Sequence, residues 1–241
     1  MDEVKRGSDQ IFDGLSSISA AAHELKSPLV LVRQLSLMLE NTEVTEVEKS
    51  RMLRQIVLTS EQALRLTSDL TKVARLSDAM FDVEPINPTQ LCKDIVCELR
   101  PILRANNLDI KLKSCKHPLL LVANRDLLRR IIMNFSDNAI NYAGSDMAVE
   151  IQIKALNAGK IIRLGVRDYG PALSSDLWRS LRGRLSKSSV PINARPQSSG
   201  LGLYIASQFA EAMNGKIGAI KHRDGATFYV DLQASAQLSL L

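Results

Sequence analysis

The chain predicts an α+β fold: a long helical hairpin, suited to a four-helix bundle on dimerisation, followed by an α/β sandwich. Three observations carry that reading. Ile11, Leu15, Ile18, Ala22, Leu25, Leu29, Val32, Ser36 and Leu39 alternate spacings of four and three, the seam of a packed helical pair. Composition then changes at Phe81-Asp82-Val83-Glu84-Pro85-Ile86-Asn87-Pro88, where a short alternating run and two prolines mark a strand and a boundary. Beyond that boundary, helix and strand patterns mix to the end of the chain.

The elements follow in order. The first helix carries the seam just named. Glu40 to Glu46 is polar and serves as a connection. The second helix carries Leu53, Ile56, Ser60, Ala63, Thr67, Leu70 and Ala74 on one stripe, widened by Val57 and Leu64. A lone hairpin of this length leaves apolar stripe uncovered, so a homodimer is expected. In the second segment Thr89 to Leu103 reads as helix, Leu108 to Leu112 and Leu119 to Val122 as strands, and Arg125 to Tyr142 as helix. Val149 to Ala155 and Lys160 to Arg167 resemble a hairpin around Asn157-Ala158-Gly159. A basic, Ser-rich stretch runs from Ser174 to Ser199. Leu201 to Met213 is helical, and two closing strands flank Arg223-Asp224-Gly225. Domains are therefore expected at residues 1–79 and 80–241, the second an arrangement of helices covering one face of a sheet.

At 241 residues, with 45% hydrophobic and 24% charged residues, the chain has the composition of a core-forming protein. No apolar run approaches the roughly 20 residues that span a bilayer, and the first residues lack the apolar centre of a signal peptide. A cytoplasmic location is expected, either of the whole protein or of the soluble part of a longer membrane receptor. The net charge of +5 is spread among 26 acidic residues without basic-aromatic clusters, which argues against nucleic acid as a partner. Cys92, Cys97 and Cys115 form no CxxC pair and read as reduced thiols.

Four motifs carry chemistry. Ala22-His23-Glu24-Leu25-Lys26-Ser27-Pro28-Leu29 places a histidine one step off the helical seam, one turn before a proline. That proline removes a backbone hydrogen bond and crowds the Glu24 carbonyl. In Asn134-Phe135-Ser136-Asp137-Asn138-Ala139-Ile140-Asn141-Tyr142, Asn134 and Asn138 share a helix face, and their amide oxygens suit a hard cation such as Mg²⁺. Asp168-Tyr169-Gly170-Pro171-Ala172 ends a strand with an acid able to accept from an exocyclic amine, or simply a turn aspartate. Ser198-Ser199-Gly200-Leu201-Gly202-Leu203 opens a helix, where small residues and free N–H groups favour a phosphate chain.

In this order the motifs resemble those of the sensor histidine kinases of two-component signalling, over nearly the whole chain. Ala22 to Leu29 is similar to the family's H box, Asn134 to Tyr142 to its N box, Asp168 to Ala172 and Gly200 to Leu203 to its glycine boxes, and Gly225-Ala226-Thr227-Phe228 to its terminal strand. The resemblance implies a Bergerat-type ATP-binding sandwich, with His23 as phospho-acceptor, Glu24 stabilising the imidazole N–H, and Ser27 orienting water in a phosphatase reaction. It further implies ATP held by Asn134, Asn138, Tyr142, Asp168, Gly170, Gly200, Leu201, Gly202 and Leu203. Mg²⁺ falls to Asn138 assisted by Asn134, and the partner is a response regulator receiver domain. The chain departs from the family pattern at Ala172 and Ser198, where glycine is usual, and at Asn141, where lysine is common. The phenylalanine-rich box has only Leu177-Trp178-Arg179-Ser180-Leu181 as a counterpart. These departures leave a second expectation open, a phosphotransfer or scaffold protein with a degenerate nucleotide domain. A non-kinase Bergerat ATPase is the third.

Overall fold

The computed structural model describes residues 2–41, 44–76, 81–105, 107–115, 120–142, 148–171, 176, 178–179, 181 and 201–236. The side chains of residues 2–20, 41, 102, 105, 141 and 142 lie outside that description. Ala172, Ser198, Gly200 and most of the basic, Ser-rich stretch also fall outside it. The chain divides into two compact units that part near residue 77.

The first unit pairs α1 (Asp2–Asn41) with α2 (Glu46–Arg75). α2 starts at a capping box: the Thr45 hydroxyl accepts from the Glu48 N–H at 3.3 Å, and the Glu48 carboxylate accepts from the Thr45 N–H at 3.0 Å. Those bonds from Thr45 hold the Glu48 carboxyl below its usual range. α1 runs through Pro28 as one helix of 40 residues, longer than its periodicity alone suggested, and Gly7 and Gly14 lie inside it.

The helical stripes read from the sequence prove to combine two faces. In α1, Leu25, Val32 and Leu39 are half-buried and join buried Ala21 and Leu35, whereas Ala22, Leu29 and Ser36 face solvent. In α2, Ile56, Ala63 and Leu70 are half-buried, whereas Leu53, Val57, Leu64, Thr67 and Ala74 are exposed. The reason is geometric. A seven-residue repeat supplies two adjacent apolar lines, and a single hairpin covers only one of them. The uncovered line is apolar, with Leu29 59% and Leu64 70% exposed.

The second unit is a layered α+β domain. Asn87 caps α3 (Pro88–Ala105), its side-chain oxygen accepting from the Thr89 and Gln90 N–H groups at 3.0 and 3.2 Å, with Pro88 in the first helical turn. β1 (Glu84–Ile86) and β3 (Leu121–Ala123) form a small antiparallel ladder. β2 (Asp109–Lys113), β4 (Ala148–Leu156), β5 (Ile161–Arg167), β6 (Lys216–His222) and β7 (Gly225–Gln233) form a five-stranded sheet in the order β2-β4-β5-β7-β6. β2 runs parallel to β4, and every other pair is antiparallel.

Strand alternation sorts the sheet into two faces. Ile110, Val149, Ile151, Ile162, Leu164, Val166, Ala226, Phe228, Val230 and Leu232 are buried toward α3, α4 (Arg125–Tyr142) and α5 (Leu201–Ala212). Phe228 meets Phe135 of α4 with ring centroids 6.1 Å apart. The other face carries Lys111, Lys113, Glu150, Gln152, Arg163, Arg167, Thr227, Tyr229 and Asp231. Sequence periodicity placed each of these strands and helices within a few residues. The parallel β2–β4 pairing was not visible in it.

Candidate active site

α4 is started by Asn124, whose side-chain oxygen accepts from the Asp126 and Leu127 N–H groups at 3.1 Å each. Leu128, Ile131, Ile132, Phe135 and Ala139 form its buried stripe. Asn134 and Asn138 stand half-buried at the border of that stripe, one turn apart. The Asn134 Nδ2 donates to the Gly202 carbonyl at 3.4 Å, linking α4 to the first turn of α5. Residues 134 and 202, from two separate sequence motifs, are thus brought together. Among the described residues a Cβ added at Gly202 would meet nothing within 4 Å, so no described side chain or backbone fills the space over that position in the first turn of α5. Leu201 and Leu203, by contrast, bury their side chains completely or nearly so, at 0% and 2% exposure. Any contact they make with a ligand is through backbone. Tyr142 has no described side chain, and Gly200 lies outside the described residues.

Asp168 follows β5 and is buried, with 2% exposure. A buried carboxylate needs hydrogen-bond donors, and the neighbouring strand supplies them. Its Oδ1 accepts from the Ala226 and Gly170 N–H groups, both at 3.2 Å, while its own N–H donates to the Ala226 carbonyl at 3.0 Å. Gly225 makes this approach possible. Its φ of +124° is open to glycine and strained for other residues, and a Cβ there would lie 2.6 Å from the Asp168 Oδ1. The sequence marked Gly225 and Ala226 only as a turn and a closing strand. Their part in orienting Asp168 spans almost sixty residues of chain and left only the glycine as a signal.

The opposite face of the sheet holds the end of β5 in place. The Arg167 guanidinium pairs with Asp224 at 2.7 Å and lies 4.4 Å from the centre of the Tyr169 ring. Among the described residues its buried Nη1 finds no hydrogen-bond partner. Glu150 is buried and pairs with Lys113 at 2.8 Å. Burial pushes the Glu150 carboxyl up, but hydrogen bonds from Lys113, Tyr169 and Gln152 outweigh it and hold the group below its usual range. The His222 Nε2 lies 2.9 Å from the Thr227 hydroxyl oxygen, and burial together with Arg167 depresses its affinity for a proton.

In the first unit His23 and Ser27 are exposed on α1, one turn apart, and Glu24 is half-buried beside them. Pro28 is half-buried within the continuing helix. Among the described residues no group of three His, Cys, Asp or Glu side chains could hold a metal ion, and no helix is long and apolar enough to cross a membrane.

Comparison with known proteins gives these sites a context. Residues 123–236 match the HATPase_c family, described as histidine kinase-, DNA gyrase B-, and HSP90-like ATPase. The chain is 26% identical over 204 residues to the histidine protein kinase SaeS of Staphylococcus epidermidis, covering 83% of this chain and 57% of that protein. It is 26% identical over 231 residues to the sensor histidine kinase AruS of Pseudomonas aeruginosa, covering 92% of this chain and 23% of that one. The chain therefore spans little more than half of SaeS and about a quarter of AruS. Among solved structures, full-length ShkA in complex with AMPPNP aligns with a TM-score of 0.62 at 25% identity, over 93% of this chain and 47% of that one. The fold is shared with the Acinetobacter baumannii histidine kinase AdeS, at TM-score 0.63 and 16% identity over 88% of this chain and 97% of that one. It is also shared with ThkA, solved in complex with the response regulator TrrA, at TM-score 0.68 and 18% identity over 97% of this chain and 66% of that one. The chain is a homologue of the sensor histidine kinases and carries a HATPase_c domain at residues 123–236.

Proposed function

We propose that this chain is an ATP-dependent protein-histidine kinase that moves the γ-phosphoryl group of ATP to His23 and from there to an aspartate of a response regulator. The observation that carries the reading is the meeting of Asn134 with the first turn of α5, in the same domain as a buried, backbone-oriented Asp168. Phosphoryl transfer needs positioning and charge neutralisation more than covalent help from protein. In this reading Asp168 accepts from the adenine amine, and the space over Gly202 receives the phosphates at the positive end of α5. The donor set fits a hard cation that keeps phosphates and waters as its main ligands: amide oxygens of Asn138 and Asn134, with no carboxylate cage among the described residues. Mg²⁺, when bound there, neutralises charge on the transferring phosphoryl group.

His23 offers its neutral imidazole nitrogen to the γ-phosphorus. As the N–P bond forms, the bond to the ADP oxygen breaks, and Glu24 stabilises the N–H on the other side of the ring. Ser27, one turn from His23, keeps a hydroxyl able to orient water for removing phosphate from the partner regulator. The exposed apolar line of α1 and α2 supports a homodimer whose hairpins complete a four-helix bundle, each covering the other's Leu29, Val57 and Leu64. Domain limits at residues 1–79 and 80–241 accord with this division of labour.

Incubation with Mg-ATP is expected to leave acid-labile phosphate on His23. His23→Gln abolishes the label with nucleotide binding intact, and Asn138→Ala abolishes it by removing a metal ligand. Undiminished label in His23→Gln refutes the acceptor assignment. Absence of magnesium-dependent nucleotide binding in the unmutated chain replaces the kinase reading with that of a phosphate relay.

A further inference from the structure

We propose that the groove between α3 and β2 is a docking site for an acidic, extended segment of another protein, which adds to the sheet as a further strand. The groove has a volume of about 850 Å³ and is lined by Lys93, Val96, Cys97, Arg100 and Arg104 of α3 and by every residue from Asp109 to Ser114. Successive strand side chains point to opposite faces. A strand that lines a groove with consecutive residues therefore presents its backbone edge. Among the described residues β2 is the outermost strand on its side of the sheet and pairs with β4 alone, so that edge has main-chain groups available for pairing.

Charge selects the occupant. Val96, Cys97, Arg100 and Arg104 stand three, four, seven and eleven residues after Lys93 and share one face of α3. The helix's acids lie elsewhere: Asp94 pairs with Arg125 of α4 at 3.0 Å, and Glu98 pairs with Arg129. Among the described residues Lys93, Arg100, Arg104 and Lys111 make no ion pair, and Lys113 alone of the groove's cations is matched, by Glu150. Among the described residues Asp109 is the one acid lining the groove, and its carboxylate accepts from the Ile110 N–H at 2.8 Å. An extended peptide with acids on alternate residues places them on one face, beside Lys93, Arg100 and Arg104 of α3, while its backbone pairs with β2. The groove's described lining belongs to the second unit and shares no residue with those assigned to the nucleotide.

The test uses the full chain and a fluorescent nine-residue peptide alternating glutamate with threonine, read by anisotropy. Saturable binding is expected, weakened roughly tenfold in the Lys93→Glu/Arg104→Glu double variant and by a smaller factor in Arg100→Gln. The same peptide N-methylated at every residue keeps its charge but has no N–H group to pair with a strand edge, and is expected to lose binding. Bound peptide is also expected to slow maleimide alkylation of Cys97, which is exposed in the groove. Unchanged circular dichroism and nucleotide binding in both variants show that the fold is intact. Equal binding of the N-methylated peptide or of polyphosphate overturns the proposal in favour of a non-selective anion surface. Tighter binding of a single-stranded oligonucleotide, or no saturation at millimolar peptide, overturns it as well.

Discussion

Gly225→Ala is expected to damage the second unit out of proportion to one methyl group. The native φ is +124°, and the new Cβ would lie 2.6 Å from the Asp168 Oδ1 and closer still to the Asp168 carbonyl oxygen. Carbon and oxygen rest at about 3.3 Å, so the ends of β5 and β7 must separate by roughly 1 Å. That separation breaks the bonds from the Asp168 N–H to the Ala226 carbonyl and from the Ala226 N–H to the Asp168 carboxylate. The first is worth about 1 kcal/mol and the second, to a charged group, about 1.5–3 kcal/mol. The positive φ adds about 1–3 kcal/mol of backbone strain. The total, about 3.5–7 kcal/mol, is a large share of the roughly 5–15 kcal/mol that stabilises an ordinary domain. Urea unfolding of the variant measures the loss. Hydrogen exchange resolved at the Asp168 and Ala226 amides shows whether the damage begins there, and calorimetry with a non-hydrolysable ATP analogue shows whether Asp168 still binds. A loss below about 1 kcal/mol with unchanged protection at both amides refutes the argument.

Gly202→Ala is expected to behave in the opposite way. Among the described residues nothing obstructs its Cβ, so stability is unchanged or rises by up to about 1 kcal/mol, while the added methyl occupies the space proposed for phosphates and weakens binding of the ATP analogue. Leu64→Lys should convert a dimer to a folded monomer by light scattering, because Leu64 is 70% exposed in the hairpin, whereas Leu35→Lys, at 8% exposure, should unfold it. Glu150 has a folded-state pKa below its unfolded value, so its contribution is present above the unfolded value near 4.3 and is lost as pH falls through the folded one. Glu150→Gln should therefore lower the melting temperature at pH 7, with the difference from the native chain shrinking as pH falls below about 4. A constant difference across that range refutes the ionic origin. Asp168→Asn keeps the size of the side chain but removes its charge, and is expected to weaken analogue binding by about 1.5–3 kcal/mol in calorimetry.

Much of the molecule was legible because its signals are local. Asn134 and Asn138 share a face on any helix that contains them, and the Asn157-Ala158-Gly159 turn dictates a hairpin. The order of motifs from His23 to Gly202 was likewise readable, since each motif is a short stretch with its own chemistry. The tertiary structure decided what depends on distant pieces of chain. Periodicity marked both apolar lines of α1 and α2, but only packing selected Leu25 and Val32 for burial and left Leu29 and Leu64 outside. A strand's pattern of two shows that Lys111 and Lys113 share a face. It does not show that β2 lies at the edge of the sheet, because edge position depends on which strand pairs with which. Asp168 was recognisable as an acid at a strand end. Its burial and orientation come from Gly225 and Ala226, nearly sixty residues away, because hydrogen bonds between strands are set by register and leave little trace in the sequence of either strand alone.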